Sequence, residues 1–349
     1  MEAMFEAFKA FLFGVVEGIT EWLPISSTGH MMLLNQFLPL NVSDSFYDTF
    51  LVVIQLGAIL AVIILYFHKL NPFSPRKDAV QKRETWGIWA KVVVGSIPAA
   101  IVGLLLDDWM EEHIMNNADL GYVVVSAALI IYGIIFIIIE LRNRRRLAAL
   151  ADGTLGSGAG KGSKAGAAKA GADEPRGRHT HEAVSRRNAA AVAEAADLGY
   201  DDQHAEELDA SSAISKVNTF EELSYGRAFA IGIFQSLAII PGTSRSGSII
   251  IGSMLLGTSR TIATEFAFFL AIPIMLGWSI LKLLKHGMAY TGLEWMVFGV
   301  GIVTSFVVSV LAIKFLMGYI KKNDFTAFGI YRIIIGVVVL GFFGLNVLF

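Results

Sequence analysis

The chain has 349 residues, of which 54% are hydrophobic and 17% charged, and its formal net charge is −2. Charged residues make up about a quarter of a typical soluble domain, so this composition argues against a soluble protein. The absence of cysteine excludes disulfide bonds, thiolate nucleophiles and sulfur-ligated metals. The acidic start, MEAMFEAFKAFLFG, lacks a basic region and a small-residue cleavage site, so we expect no cleaved signal peptide.

Long apolar segments recur along the chain. Most approach the roughly 20 residues that cross a bilayer, and few contain an internal charge. They are apolar on all faces, whereas a helix of a soluble protein would be amphipathic. The segments are 50–67, 88–106, 121–139, 266–281, 295–313 and 328–349. The sequence therefore predicts an all-α integral membrane protein that contacts membrane lipids and has no nucleic-acid partner.

One stretch, 141–224, differs in composition. It begins LRNRRRLAAL and continues with Gly, Ala and mixed charge. Such residues bury too little apolar surface to offset the entropy of ordering the chain. We expect 148–218 to be mostly disordered, with a short helix near 183–197. The predicted organisation is a first membrane repeat at 1–140, a cytoplasmic linker, and a second membrane repeat at 225–349.

The two membrane halves contain similar motifs, GVVEGITEWLPISSTGH at 14–30 and GIFQSLAIIPGTSRSG at 232–247. Three apolar spans follow each motif, which indicates an internal repeat. Because three is an odd number, the second half must be inverted relative to the first. With one gap the motifs pair Gly14 with Gly232, Glu17 with Gln235, Pro24 with Pro241, and Ser27 with Ser244.

Loop charges predict the orientation of the spans. Loop 68–87 carries five Lys or Arg residues and should be cytoplasmic, whereas loop 107–119 is acidic without Lys or Arg and should face outward. The arginine cluster at 142–146 returns the chain to the cytoplasm. Lys282 and Lys285 disagree with this scheme, because it places them outside.

The segments 5–36 and 226–256 are each broken in the middle by Pro, Gly and Ser. Each is better interpreted as a re-entrant helical hairpin than as a single span. Broken backbone at membrane depth is tolerated only where protein or a water-filled cavity surrounds it. Inverted repeats with broken helices place their binding site at the midplane between the halves. We therefore predict that each half is one re-entrant hairpin plus three transmembrane helices, with a site between them.

The first motif carries two acids and a histidine. Glu17 and Glu21 are four residues apart, so they project from one helical face. Paired carboxylates in an apolar setting are costly unless they share a metal, a proton or a cation, and hard divalent ions favour carboxylate oxygens. Of seven histidines, His30 is the one inside a re-entrant segment. The first motif thus contains candidate metal ligands and, in His30, a candidate base or nucleophile.

Hydroxyl groups lie beside this histidine. Serine next to histidine is the arrangement that activates an oxygen nucleophile, and Ser27 is the candidate. Serine and threonine are also preferred helix caps, so a structural role stays open for the same residues. The neighbouring hydroxyls that we expect to contact a substrate belong to Ser26 and Thr28.

The second motif, PGTSRSGS at 241–248, suits an anion. Its glycines allow close backbone approach, its free amides form an anion-accepting turn, and Arg245 offers a bidentate fork for phosphate oxygens. An ion pair between Arg245 and Glu17 or Glu21 is the alternative. The other candidate substrate-binding residues are Gln235, Gly242, Thr243, Ser244, Ser246 and Gly247.

Outside the motifs we expect less chemistry. Glu265 and Arg332 lie within or beside spans of the second half and could pair with each other. Lys91 and Glu140 lie near span ends, where snorkelling suffices. Together, the motifs suggest phosphoryl chemistry on an amphiphile, although a carrier for an anionic lipid would use similar parts. The candidate nucleophile and base favour an enzyme.

The sequence also resembles a known family, the undecaprenyl-diphosphatases of the bacitracin-resistance (BacA) type. The resemblance rests on EGITEWLPISSTGH and PGTSRSG, on their order and on the flanking spans, and covers 1–140 and 225–349. It implies a multi-pass protein of the bacterial inner membrane that converts undecaprenyl diphosphate to the monophosphate lipid carrier of cell-wall synthesis. It also implies dependence on a divalent cation, Mg²⁺ or Ca²⁺, and a site open to the outer face.

The resemblance further implies roles for single residues. Ser27 would attack, His30 would act as base, and Arg245 would stabilise the transition state. Glu17 and Glu21 would match the acidic motif tied to metal and catalysis, and Ser244 the phosphate-binding loop. Family members often carry threonine where this chain has Ile249, and the hydroxyl of Ser248 could substitute for it.

Two questions stay open at this stage. The alternative function is a transporter or flippase for an isoprenoid phosphate or another anionic lipid, because inverted repeats also suit alternating access. Apolar spans with small residues would permit a homodimer without requiring one.

Overall fold

The computed structural model describes residues 2–115, 117–152, 209–286 and 289–348. Every regular element within these ranges is helical, apart from an isolated bridge between Val217 and Thr258. In chain order the helices are α1 (Glu2–Thr20), α2 (Ser27–Phe37), α3 (Asp44–Val53), α4 (Gln55–Leu65), α5 (Phe67–Leu70), α6 (Ala79–Met110), α7 (Ala118–Ala151), α8 (Tyr225–Ser236), α9 (Arg245–Leu255), α10 (Arg260–His286), α11 (Gly292–Lys322) and α12 (Thr326–Leu348).

Six helical segments of the described chain are long and apolar enough to cross a membrane. The first combines α3 and α4, and the others correspond to α6, α7, α10, α11 and α12. They are Asp44–Leu65, Ala79–Met115, Leu120–Leu150, Arg260–Lys285, Gly292–Lys322 and Thr326–Gly344. The prediction of an all-α, multi-pass membrane protein is confirmed.

Local sequence explains where two of these helices begin. In α6, the Asp78 side chain accepts a hydrogen bond from the Gln81 amide, and the Gln81 side chain bonds back to the Asp78 amide. Thr291 and Glu294 form the same reciprocal capping box at the start of α11. Each box satisfies amides that have no partner within the helix, so both starts are fixed by the chain itself.

The short helices α1 and α8 pack against the long helices α11 and α6, respectively. Glycine permits both contacts. A Cβ atom at Gly14 of α1 would lie 2.7 Å from the Gly301 carbonyl oxygen of α11, and one at Gly232 of α8 would overlap the Gly95 carbonyl of α6. Close approach through small residues is how helices associate in a membrane, where the hydrophobic effect between them is lost. Helix α7 packs mainly against α12.

Two predictions about charged residues in the spans are wrong. Glu140 does not snorkel; it is fully buried, and its carboxylate accepts bonds of 2.9 and 2.6 Å from Arg260. Glu265 pairs with Lys69 at 2.8 Å rather than with Arg332. A buried charged carboxylate is stabilised by a cation beside it. The sequence pattern of one helix could not reveal that this cation comes from another helix.

Lys91 also departs from expectation. It lies near the end of a span, but its side chain is buried and its ammonium donates to the Phe220 carbonyl oxygen. Phe220 belongs to the segment that precedes α8, and its ring is itself buried. The lysine therefore fastens this segment to α6 instead of reaching water.

The described residues at both ends of the stretch 148–218 are ordered, and the prediction that most of the stretch is disordered stays a prediction. Helix α7 continues to Ala151. At the other end, Asp209 is buried and its carboxylate accepts bonds from the backbone and side chain of Thr261 at 2.8 and 2.9 Å. The predicted helix near 183–197 lies outside the described residues.

The lysines that disagreed with the predicted orientation have partners at the same end of the molecule. Lys282 bonds to Glu111 at 2.8 Å and Lys285 to Asp108 at 2.9 Å. Asp108 lies in the last turn of α6 and Glu111 directly follows that helix, both within the acidic stretch 107–119. The two lysines therefore neutralise part of the negative charge of the acidic stretch. This pairing explains why two cations lie at the end of the molecule where the loop charges are otherwise acidic.

The two arginine–carboxylate pairs of α7 give a matched test of burial. We expect Arg260→Ala to lower the free energy of unfolding by ~3–5 kcal/mol, because Glu140 is left charged and buried. Arg144→Ala should lower it by at most ~1 kcal/mol, because Arg144 pairs with Asp324 where more than half of its side chain is exposed. Thermal unfolding of both variants in detergent compares them, and equal losses would contradict the prediction.

Candidate active site

The site forms where two irregular turns meet: residues 21–26 between α1 and α2, and 240–244 between α8 and α9. Each turn ends in a serine with positive φ, Ser26 at 71° and Ser244 at 66°. Non-glycine residues adopt this conformation at a cost of ~1–3 kcal/mol, and such strain is concentrated at functional sites. Both serines directly precede a helix. The structure therefore matches Ser26 with Ser244, one residue away from the sequence pairing of Ser27 with Ser244.

Glu21 connects the two turns. One carboxylate oxygen, Oε1, accepts a 2.6 Å bond from Arg245 Nη2, and the other, Oε2, accepts a 2.9 Å bond from Ser27 Oγ. The Glu21 backbone carbonyl also accepts from Ser246 Oγ at 3.1 Å. The ion pair between Arg245 and a motif acid, considered as an alternative, is thus present in this structure. It brings the candidate nucleophile and the cation of the second motif to one carboxylate.

His30 is held away from Ser27. Its Nδ1 lies 2.7 Å from the Ser26 carbonyl oxygen, which can only accept, so Nδ1 carries the proton. Its Nε2 is therefore the acceptor and lies 2.8 Å from the hydroxyl of Tyr331. The two rings also stack, with centroids 5.6 Å apart and planes inclined by 7°. In this structure His30 bonds to Ser26 and Tyr331, and Ser27 donates to Glu21.

Glu17 lies one helical turn before Glu21 and is buried. Its Oε1 has no hydrogen-bond partner among the described residues. An unpartnered buried carboxylate oxygen suits a proton or a cation. Glu21 has both oxygens engaged, yet a carboxylate offers about four lone-pair positions and could bind a cation in addition. The residues present therefore fit a divalent ion, with Glu17 as its least encumbered ligand.

Three closely spaced acids of the described chain lie outside the motifs. Carboxylate oxygens of Asp107, Asp108 and Glu111 lie within 4.8 Å of one another. Two of these acids already pair with Lys282 and Lys285, so their charge is partly neutralised. The predicted ligands Glu17 and Glu21 are separate from this cluster.

A cavity of about 240 Å³ adjoins the ion pair. Its lining brings together part of the predicted site with residues from other helices. Predicted residues that line it are Glu21, Ser27, Thr28, Gln235, Gly242, Ser244 and Arg245. Four further polar or aromatic lining residues, Gln55, Asp107, Ser236 and Trp278, were not predicted. Two buried atoms of lining residues have no hydrogen-bond partner among the described residues. They are Arg245 Nη1, a donor, and Gln235 Oε1, an acceptor.

Other predicted residues serve the turns. Thr243 Oγ1 donates to the carbonyls of Leu237 and Ile240 at 3.1 and 2.9 Å, and the Gly247 amide donates to Ser244 Oγ at 3.2 Å. Ser248 Oγ bonds to the Tyr132 hydroxyl at 3.2 Å, so it does not supply a hydroxyl to the cavity in place of the family's threonine. Residues predicted for the site that do not line the cavity are Glu17, Ser26, His30, Thr243, Ser246 and Gly247.

Arg332 of α12 holds the two turns together. It is fully buried, its Nη1 donates to the Pro24 carbonyl at 3.1 Å, and its Nη2 donates to the Gly242 and Thr243 carbonyls, both at 2.9 Å. A single guanidinium thus bonds to both motifs, which a shorter or single-headed cation could not do. An arginine inside a span is a functional signal in sequence, but its partners here are backbone carbonyls that no sequence pattern marks.

These features define a multi-pass α-helical membrane protein whose site lies at the junction of two broken helical segments, with a serine, a carboxylate and an arginine in contact. The sequence matches the family described as bacitracin resistance protein BacA over residues 10–168 and 189–338. The chain belongs to this family, and the predicted family resemblance is confirmed.

Curated relatives cover nearly the whole chain. An undecaprenyl-diphosphatase of Lactiplantibacillus plantarum is 46% identical over 98% of this chain and 99% of its own length. Undecaprenyl-diphosphatase 1 of Clostridioides difficile is 44% identical over 98% and 97%, respectively. The undecaprenyl-diphosphatase of Enterococcus faecalis is 41% identical over 96% of both chains.

The arginine that bridges the turns can be tested by a substitution that keeps its charge. We expect Arg332→Lys to lower the free energy of unfolding by at least about 2 kcal/mol, because one ammonium cannot replace three bonds to buried carbonyls. Arg144→Lys, at an exposed position of α7, should leave the free energy of unfolding almost unchanged. Thermal unfolding in detergent measures both, and an unshifted midpoint for Arg332→Lys would contradict the bridging role.

Proposed function

We propose that this protein hydrolyses undecaprenyl diphosphate to undecaprenyl phosphate and inorganic phosphate, which regenerates the lipid carrier for cell-wall synthesis. The observation that carries the proposal is the contact of Ser27, Glu21 and Arg245 beside one cavity. Membership of the family and the names of the relatives support the substrate. The volume of about 240 Å³ suits a diphosphate headgroup, with the prenyl chain left outside in the membrane.

The geometry supports Ser27 as the nucleophile and Glu21 as its base. Ser27 Oγ attacks the terminal phosphorus, the bond from that phosphorus to the lipid phosphate breaks, and the hydroxyl proton passes to Glu21 Oε2. Water then attacks the phosphoserine, the serine oxygen regains the proton from Glu21, and phosphate leaves as H₂PO₄⁻. Arg245 Nη1, which has no partner among the described residues, is placed to bond phosphoryl oxygens as charge develops on them.

In this scheme Glu21 is the base, whereas the family resemblance implies that role for His30. Its protonated Nδ1 donates to the Ser26 carbonyl, in the strained residue that precedes the nucleophile. Tyr331 fixes the ring from the other side. We infer that His30 and Tyr331 are positioning residues, which keep the turn in the conformation that directs Ser27 at Glu21.

A divalent cation fits this site through the free oxygen of Glu17 and the remaining lone pairs of Glu21. When bound, Mg²⁺ or Ca²⁺ would neutralise charge on the phosphate oxygens of the substrate. Glu17 would then hold the ion against the headgroup while Glu21 orients Ser27.

The contact pattern supports an inverted repeat. In such a repeat α1 corresponds to α8, α4 to α10 and α6 to α11. The contact of α1 with α11 then corresponds to that of α8 with α6, and the contact of α4 with α11 to that of α10 with α6; all four contacts are present. Helices α2, α8 and α9 have 11 or 12 residues, about 17 Å of helix, which is too short for a hydrocarbon core of about 30 Å. The shortness of these three helices supports re-entrant hairpins that enter and leave on one side, although α1 with 19 residues is longer.

The position of the cavity supports an opening to the outer face. Asp107 lines it and belongs to the acidic loop whose charge predicts an outward position. We therefore propose that the protein lies in the bacterial inner membrane and receives its substrate from the outer leaflet.

The first experiment measures inorganic phosphate released from undecaprenyl diphosphate by the purified protein, with Mg²⁺ or with EDTA. We expect cation-dependent release that falls at least about 100-fold in Ser27→Ala, Glu21→Gln and Arg245→Ala. Matched controls at exposed positions are Ser45→Ala, Glu84→Gln and Arg83→Ala, which should retain activity. Absence of release by folded wild type would exclude the phosphatase and favour transport of an anionic lipid.

A second experiment tests whether the general base is Glu21 or His30. We expect Tyr331→Phe, which keeps the stacked ring but removes the hydroxyl, to lower kcat by less than about tenfold and to leave the pH dependence unchanged. Glu21→Gln should lower kcat by at least about 100-fold, as expected for loss of the base. If instead Tyr331→Phe shifts a limb near neutral pH and His30→Gln removes it, His30 is the base.

A further inference from the structure

A second charged region lies at the end of α7, far from the cavity just described. Helix α7 has 34 residues, about 50 Å of helix, and the acidic loop lies at its beginning. Its apolar stretch ends at Leu141, and arginines follow at once. The region therefore lies at the opposite boundary between membrane and water.

Two surface cavities meet there. One, of about 510 Å³, lies along Ile138, Leu141 and Ala149, and the other, of about 340 Å³, lies between α7, Lys216 and the end of α9. Arg142 and Arg146 line both. The two cavities share these arginines, and we refer to them together as the groove.

The cations of this groove lack carboxylate partners within the described part of the chain. Arg142, Arg145 and Lys216 make no ion pair there, and Arg146 makes only a 3.5 Å contact with the Ile214 carbonyl. Arg144, in the same run, is different, because it pairs with Asp324 at 2.6 Å. The groove therefore concentrates uncompensated positive charge.

Beside these cations the surface is apolar. Ile138 is 59% exposed, Leu141 44% and Leu255 49%, on helices that we treat as facing lipid. Uncompensated cations at the water boundary next to exposed aliphatic side chains match the two parts of a phospholipid, a phosphate headgroup and an acyl chain. Basic pockets between transmembrane helices bind anionic headgroups in this way.

We propose that the groove at Arg142, Arg146 and Lys216 binds an anionic phospholipid of the bilayer, with its phosphate between the two arginines and an acyl chain along Ile138 and Leu141. The site is separate from the catalytic cavity, and the proposal does not depend on the proposed hydrolysis. Charge complementarity selects an anionic lipid over a zwitterionic one, whose headgroup amine would be repelled by the same arginines.

The test uses full-length protein in detergent, titrated with phosphatidylglycerol or with phosphatidylcholine of the same acyl chains, and native mass spectrometry to count bound lipid. We expect phosphatidylglycerol to bind at least about tenfold more tightly, and this preference to disappear in the double variant Arg142→Gln/Arg146→Gln. The matched control Lys321→Gln/Lys322→Gln removes two positive charges from the same end of the molecule and should keep the preference.

Ionic strength provides a second test, which uses the wild-type protein alone. Raising the ionic strength from 0.05 to about 0.5 M should weaken phosphatidylglycerol binding to the wild type while leaving phosphatidylcholine unaffected. Equal binding of the two lipids, or an unchanged preference in the double arginine variant, would overturn the proposal. Binding of undecaprenyl phosphate without binding of phosphatidylglycerol would also overturn it, because the groove would then serve the prenyl lipid.

Discussion

The site depends on one buried guanidinium. Arg332 donates to carbonyls of Pro24, Gly242 and Thr243, which belong to turns more than 200 residues apart in the chain. Irregular backbone inside a membrane exposes carbonyl groups that lipid cannot satisfy, so these turns require an internal donor. By supplying it from α12, the chain satisfies both turns and fixes their separation with the same side chain. Glu21 can then meet Arg245, and Ser27 can meet Glu21.

Around that bridge, most charges are used within the protein. Glu140 with Arg260 and Glu265 with Lys69 are ion pairs of the scaffold, and each joins different helices. Near the cavity, by contrast, some polar atoms have no partner within the protein. Among the described residues, Glu17 Oε1, Gln235 Oε1 and Arg245 Nη1 are buried without a hydrogen bond. Uncompensated polar atoms are costly in a folded protein, and an anion and a cation bound at this cavity would relieve these three.

The membrane class and the two motifs were predictable because apolar length and repeated local patterns are properties of contiguous sequence. The same reasoning identified Glu21, Ser27 and Arg245, since reactive side chains are conspicuous in apolar surroundings. It offered the ion pair between Arg245 and a motif acid as an alternative, but it could not identify the hydrogen bond from Ser27 to Glu21. Ser27 and His30 are three residues apart, and proximity in sequence suggested a pair, but the positive φ of Ser26 directs Ser27 towards Glu21. Arg332 and Tyr331 were missed as site residues because their partners lie in other helices.

The packing of α1 has a consequence for the order in which the protein is made. Gly14 rests on Gly301 of α11, and Ser309 of the same helix donates to the Gly18 carbonyl. During synthesis from the amino terminus, α1 emerges first, but its partner emerges almost last. Helix α1 must therefore wait, incompletely packed, until most of the chain has been synthesised. Assembly of the site is a late event in biogenesis, and a chain interrupted before α11 would insert without ever acquiring it.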